Sequence, residues 1–199
     1  MQKLKKIGLF GGTFDPPHHA HLMLAEWLIS YLELDLIYFI PASIHAFKND
    51  TILTSGNTRL KLIRAAIKHF PKFKVSQIEI KRDSVSFTID TLRTFMQFEN
   101  IANAKLYYII GLDNLLEFHL WKEPDDILNL CTVVVLNRPG LNKKVKLSKY
   151  YKKVKFINSP MFQLSSTFIR QRISEGKPFA SFVPLNVFKL IIKNKLYIK

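Results

Sequence analysis

"KIGLFGGTFDPPHHAHL", residues 6 to 22, opens as an apolar run, passes through a turn and closes as an amphipathic segment. The run "KIGLF" is short and nearly continuous in hydrophobicity, the pattern of a strand buried on both faces of a parallel sheet. Gly11 and Gly12 follow, and a glycine pair lets the backbone turn sharply and approach a ligand without Cβ contact. From His18 onward the period changes: in "HLMLAEWLISYL" apolar residues recur every three or four positions, which predicts a helix. The helix start presents free N–H groups and the positive end of its dipole to the turn. His18 and His21 are three apart and share one helix face, so two imidazoles stand beside a ready-made anion site. The turn is neither GxGxxG nor a P-loop, and a zincin-type site needs histidines four apart with an intervening Glu.

The same alternation extends over the rest of the chain. Strand-like runs recur as "LIYFI" (36–40), "FKVSQIEI" (73–80), "LYYII" (106–110), "TVVVL" (132–136) and "VKFI" (154–157). Helical patterns separate them: "TRLKLIRAAIKHF", "TIDTLRTFMQF", "PDDILNL", and at the end "STFIRQRISEG" and "PLNVFKLIIKNKL". Gly176 suits a helix C-cap and Pro184 a helix opening. Alternating β and α elements predict an α/β fold, a doubly wound and mostly parallel Rossmann-like sheet with helices on both faces. Ligands of such folds bind at the carboxyl ends of the strands, near a topological switch point. With no repeat and no composition break, residues 1–199 read as a single domain, the C-terminal helices from about 166 packing on the same sheet. The stretch 41–57, "PASIHAFKNDTILTSGN", is a long loop for a compact domain, and such loops often carry function.

Composition narrows the class. Of 199 residues 48% are hydrophobic, ample for a full core, yet no stretch is long and apolar enough to predict a transmembrane helix. The basic "MQKLKK" lacks an apolar h-region, so secretion is not expected, and the single Cys131 in "CTVVVL" reads as a buried thiol in a reducing cytoplasm. The net charge of +15 raises the question of an anionic partner, but the lysines and arginines are scattered and form no single stripe. No nucleic-acid or membrane partner is therefore expected.

A second motif, "SSTFIR" at 165–170, opens the next-to-last helix. Its hydroxyls are good N-caps, and plain capping is one reading. Three hydroxyls, helix-start N–H groups and Arg170 one turn on also suit phosphate oxygens.

Taken in order, these blocks resemble the bacterial nicotinate-nucleotide adenylyltransferases of the HxGH nucleotidyltransferase superfamily. "GLFGGTFDPPHHAH" looks like the GGTFDPxHxGH signature, "TRLKLI" like the family's arginine-led helix, and "IEIKRDSVSFTIDTL" like its ElxR…SYTxdTL segment. "IIGLDNLLEFHLW", "VVLNRPG" and "SSTFIRQRISEGKPFASFVPLNVFKLIIKNKLY" are similar to its remaining blocks. The resemblance implies transfer of AMP from ATP to nicotinate mononucleotide, with Mg²⁺ as an ATP counter-ion held mainly by phosphates and water. It implies catalytic roles for His18, His21 and Arg170, and ATP contacts from Gly11, Gly12, Thr13, Phe14, Gly111, Asp113, Arg138, Ser166 and Thr167. Lys48, Phe87, Thr88 and Trp121 would meet the acceptor, Trp121 by stacking on its ring. No protein metal ligands are implied, and a homodimer is compatible with it.

Three positions depart from the family pattern. Ala20 stands where the signature has glycine, Phe87 where it has Tyr, and "IHAFK" where the loop usually reads PPHK, so that only Lys48 is kept. The rival readings are another transferase of the superfamily, such as one acting on phosphopantetheine, and a basic nucleic-acid-binding protein. The blocks "SFTIDTL" and "GLDNLLEFHLW" favour the pyridine nucleotide over both.

Overall fold

The computed structural model describes residues 4–45, 54–82, 85–97, 103–137 and 148–198. Strand β1 (Lys6–Gly12) lies in the middle of a six-stranded sheet, between β2 (Leu36–Pro41) and β6 (Lys105–Gly111), parallel to both. The chain first works outward on one side, from β2 to β4 (Phe73–Val75), then crosses to β6, β7 (Thr132–Asn137) and β8 (Lys155–Asn158). The full order is β4-β2-β1-β6-β7-β8, with every pairing parallel. Its direction of growth reverses between β1 and β6, the place where a doubly wound sheet opens a crevice.

Both faces of the sheet are covered, which explains the continuously apolar strands. On one face Phe10, Phe39, Ile109, Val134 and Ile157 join residues of α1 (His19–Tyr31), α2 (Gly56–Ile67), α7 (Ser166–Ser174) and α8 (Leu185–Lys193). On the other, Ile7, Leu9, Leu106, Tyr108, Ile110, Val133 and Val135 meet α4 (Thr88–Met96) and α6 (Pro124–Leu130). The C-terminal helices thus share the core of the sheet through Ile169, Val187 and Ile191. Gly176 closes α7 with a positive φ of 66°, the left-handed conformation a glycine C-cap supplies.

One expected element changes type. The alternating run 73–80 predicts a single strand, but the strand stops at Val75 and Ile78–Arg82 forms a short helix, α3. Ser76 makes the break: its N–H donates to Phe39 O, and its hydroxyl accepts from Ile78 N. The helical turn carries Glu79 inward, where Thr91 donates to its carboxyl group at 2.7 Å. A tertiary bond here overrides a local alternation. Two short strands, β3 (Ile44–His45) and β5 (Val85–Ser86), pair beside the main sheet.

Candidate active site

The glycine turn after β1 is the common wall of two cavities. The larger, about 780 Å³, is lined by Gly12 and Thr13, the start of α1, Gly111 at the end of β6, and the segment Ser159–Thr167 leading into α7. Gly111 borders open space, since an added Cβ would meet nothing within 4 Å. His18 and His21 both line this cavity, with their rings stacked at 3.6 Å between centroids. His18 N donates to His21 Nδ1 at 3.2 Å, so neutral His21 carries its proton on Nε2. Burial holds His18 at a pKa of about 4 and pulls His21 well below its usual value, so both imidazoles are neutral near pH 7. His18 Nδ1 is buried without a hydrogen-bond partner among the described residues, an unsatisfied group of the kind a ligand relieves. Phe14 packs edge-on against His21 at 4.9 Å and against Phe10 at 5.6 Å, so its ring supports the imidazole from the core side.

Beneath the turn lies a polar knot. Thr54 and Tyr197 donate hydroxyl hydrogens to Asp15 Oδ1, each at 2.5 Å, and Thr54 N donates to Oδ2. Fully buried Arg59, at 1% exposure, donates through Nη1 to Thr13 O at 3.0 Å and through Nε to Thr54 O. Burial lowers the Arg59 pKa from its ordinary value, while Asp15 opposes that shift. From α7, Arg170 Nη1 donates to Asp15 O at 2.9 Å, and Ser166 Oγ donates to Pro16 O at 2.8 Å. Arg170 also donates to Thr167 Oγ1, and its side chain lines the large cavity. The "SSTFIR" helix thus both caps itself, through Ser165, and pins the turn after β1 at Asp15 and Pro16.

The smaller cavity, about 140 Å³, lies on the other side of Gly12 and Thr13. Phe87, Thr88, Tyr108, Asn114 and Trp121 line it, with Glu79 and Ser86 set into its wall. A space of about 150 Å³ accepts one six-membered aromatic ring. Trp121 is partly buried, tilted on Phe118 and perpendicular to Tyr108, which leaves it at the cavity edge. The Thr88 hydroxyl donates to Tyr108 Oη at 3.1 Å, and burial raises the Tyr108 pKa, so the phenol stays neutral. Helix α4 starts at this wall, and Phe87 gives it no side-chain cap.

Comparison with known proteins agrees with this architecture. A cytidylyltransferase-like family model matches residues 9–172. A curated relative from Clostridium beijerinckii, a probable nicotinate-nucleotide adenylyltransferase, is 38% identical over 98% of this chain and 100% of its own. The nicotinate-nucleotide adenylyltransferase of Bacillus subtilis is 35% identical over 98% and 99%. The chain belongs to the nicotinate-nucleotide adenylyltransferase family. Among solved structures, the Plasmodium falciparum nicotinic acid mononucleotide adenylyltransferase complexed with NaAD superposes with a TM-score of 0.77. That match covers 97% of each chain at 22% identity, a likeness of fold.

As a nicotinate-nucleotide adenylyltransferase the chain is a nucleotidyltransferase, and its departures from the family signature have definite places. Ala20 is buried on the wall of the large cavity, where its methyl group takes a little of the ligand's space. Phe87 faces the small cavity with the Lys122 ammonium 5.3 Å from its ring centre. Of the residues singled out from sequence, Gly12, Thr13, Phe14, His18, His21, Gly111, Ser166, Thr167 and Arg170 all border the large cavity. Gly11, Phe87, Thr88 and Trp121 border the small one. Asp113 is exposed in the first turn of α5 (Leu112–Leu116) and lines neither cavity, whereas its neighbour Asn114 does. Lys48 and Arg138 lie outside the described residues. Asp15, Thr54, Arg59, Glu79, Tyr108 and Tyr197 all lay inside quoted stretches, Asp15 in "GGTFDPPHHAH" and Glu79 in "IEIKRDSVSFTIDTL", without being singled out as site residues.

Proposed function

We propose that the chain transfers AMP from ATP to the 5′-phosphate of nicotinate mononucleotide, giving nicotinate adenine dinucleotide and pyrophosphate in NAD biosynthesis. One observation carries this reading: a large cavity rich in phosphate-binding groups and a small, ring-sized cavity share the wall Gly12–Thr13. Two nucleotides seated there meet at their phosphates. An acceptor phosphate oxygen attacks the α-phosphorus of ATP, and the bond to the pyrophosphate oxygen breaks. The nucleophile is already an anion, so no strong base is needed, and catalysis reduces to positioning and charge stabilisation. The neutral His21 donates from Nε2 to an α-phosphate oxygen as charge builds there. Arg170, Ser166 and Thr167, with the start of α7, hold the β- and γ-phosphates of the leaving group. Trp121 stacks on the pyridine ring, and the N–H groups at the start of α4 receive its carboxylate.

Mg²⁺ enters as the counter-ion of ATP. Among the described residues no cluster of three His, Cys, Asp or Glu side chains is built for a metal. Asp15, the acidic residue on the large cavity's wall, is engaged by Thr54 and Tyr197. That donor set fits an ion held by phosphate oxygens and water, which draws charge off the α-phosphate. No helix among the described residues is long and apolar enough to cross a membrane. The chain's single cysteine, Cys131, is free and buried, which fits a reducing, cytoplasmic setting.

The test is pyrophosphate release from ATP with nicotinate mononucleotide, its amide and phosphopantetheine as rival acceptors. Release fastest with nicotinate mononucleotide supports the reading. Release fastest with phosphopantetheine, or none with any acceptor, overturns it.

A further inference from the structure

The acceptor cavity has a feature that the transfer reaction does not use. Glu79 projects from α3 into the wall of a pocket meant for a substrate carboxylate, and it is 5% exposed. Two carboxylates in one small dry cavity repel strongly, so only one of them holds its charge cheaply.

The Thr91 and Ser86 hydroxyls can serve either protonation state of Glu79, and its burial on the cavity wall makes it the one that gives way. The Thr91 hydroxyl lies 2.7 Å from Glu79 Oε1 and 3.3 Å from Phe87 O, and its single proton serves only one of these acceptors. If the carboxyl group carries a proton, the relay closes: Glu79 donates to Thr91, and Thr91 donates to the Phe87 carbonyl at the start of α4. The hydroxyl of Ser86, itself accepting from Ser43 N at 3.0 Å, also faces Glu79. The charged and titratable groups around it are Arg59 from α2, Arg82 on its own helix and the Tyr108 phenol from β6. Lys122, on the same cavity wall, is held by Asp90 at 3.1 Å. Burial outweighs the arginines and hydroxyls, and raises the Glu79 pKa above the ordinary value.

We propose that Glu79 is a proton-linked specificity residue of the acceptor site, neutral whenever the nicotinate carboxylate is bound. The acid nucleotide then binds together with one proton on Glu79, whereas the amide nucleotide has no such requirement. This rests on the acceptor reading given above, and the experiment separates the two. Dissociation constants for nicotinate mononucleotide and nicotinamide mononucleotide are measured on the full chain from pH 6 to 9. Their ratio cancels the titration of the shared phosphate and of the two histidines.

In the wild type the acid-to-amide ratio of dissociation constants climbs with pH wherever Glu79 of the free chain ionises, approaching about tenfold per pH unit, as one linked proton dictates. Glu79→Gln, neutral at every pH, holds the ratio flat and keeps the acid preference at pH 9. Thr91→Val leaves the carboxyl group in place but removes a donor to its ionised form, so its ratio at pH 9 lies below the wild-type value. A flat ratio in the wild type, an equal climb in Glu79→Gln, or a Thr91→Val ratio at pH 9 equal to the wild-type one overturns the proposal. Failure to bind either nucleotide overturns the acceptor reading itself, and this proposal with it.

Discussion

The two cavities share one wall but are furnished in opposite ways. The polar lining of the large one is imidazoles, hydroxyls and a guanidinium, most of them from the two quoted helix starts and their turns. The small one is lined mainly by aromatic rings and neutral polar groups drawn from β5, α4, β6, α5 and the segment around Trp121, with Glu79 of α3 and Lys122 beside them. Charge handling is concentrated in one place and acceptor choice in the other. Substitutions on the two sides should therefore fail differently.

The largest effect is expected from His21→Ala, which removes the Nε2 donor. Turnover should fall by about 10²–10³-fold, with the acid-to-amide preference unchanged. Steady-state kinetics with both acceptors checks this, and an altered preference would show that the two cavities do not act separately. Trp121→Ala is the counterpart on the other side. Loss of ring stacking should raise KM for the acceptor about tenfold while KM for ATP stays within about twofold.

A third difference concerns acid. The unfolded chain protonates its histidines near pH 6.5, whereas folded His18 resists protonation until about pH 4. The unfolded state thus binds more protons in that window, and stability must fall as pH drops from 6.5 to 4. For His18 this amounts to about 3 kcal/mol, or a fall in Tm of about 6–12 °C for a chain this long. Thermal melts of wild type and His18→Asn against pH test it, the variant losing much of the slope. Next comes Tyr197→Phe, which strips one donor from Asp15 and should cost about 1.5–3 kcal/mol, with a few-fold rise in KM for ATP. The smallest change is Ala20→Gly, expected to cost about 1 kcal/mol of helix stability in a melt while turnover persists.

The large cavity was legible because its parts are local. "GGTFDPPHHAH" makes strand end, turn and helix start in one breath, and "SSTFIR" makes another helix start. What sequence could not supply was their mutual distance. Ser166 reaches Pro16 across 150 residues, and Arg170 reaches Asp15 across 155. The small cavity was harder to read, since no single segment encodes it. Phe87, Thr88 and Trp121 stood out through the family blocks, but Tyr108 looked like one more strand aromatic. Glu79 sat in an alternating run that mimics a strand until Ser76 breaks it. The family block "IEIKRDSVSFTIDTL" holds Glu79, but nothing local marks its carboxyl group as buried, because its partners Thr91 and Ser86 belong to other elements.

The bond from Tyr197 to Asp15 joins positions 182 residues apart. On a ribosome adding about 5–20 residues each second, the turn after β1 emerges roughly ten to forty seconds before the tyrosine that secures it. During that interval Asp15 lacks the Tyr197 hydroxyl, and for most of it the turn lacks α7 as well. Competence to grip a polyphosphate therefore arrives late in synthesis, and a chain cut short before Tyr197 carries the whole signature without the clasp that locks it.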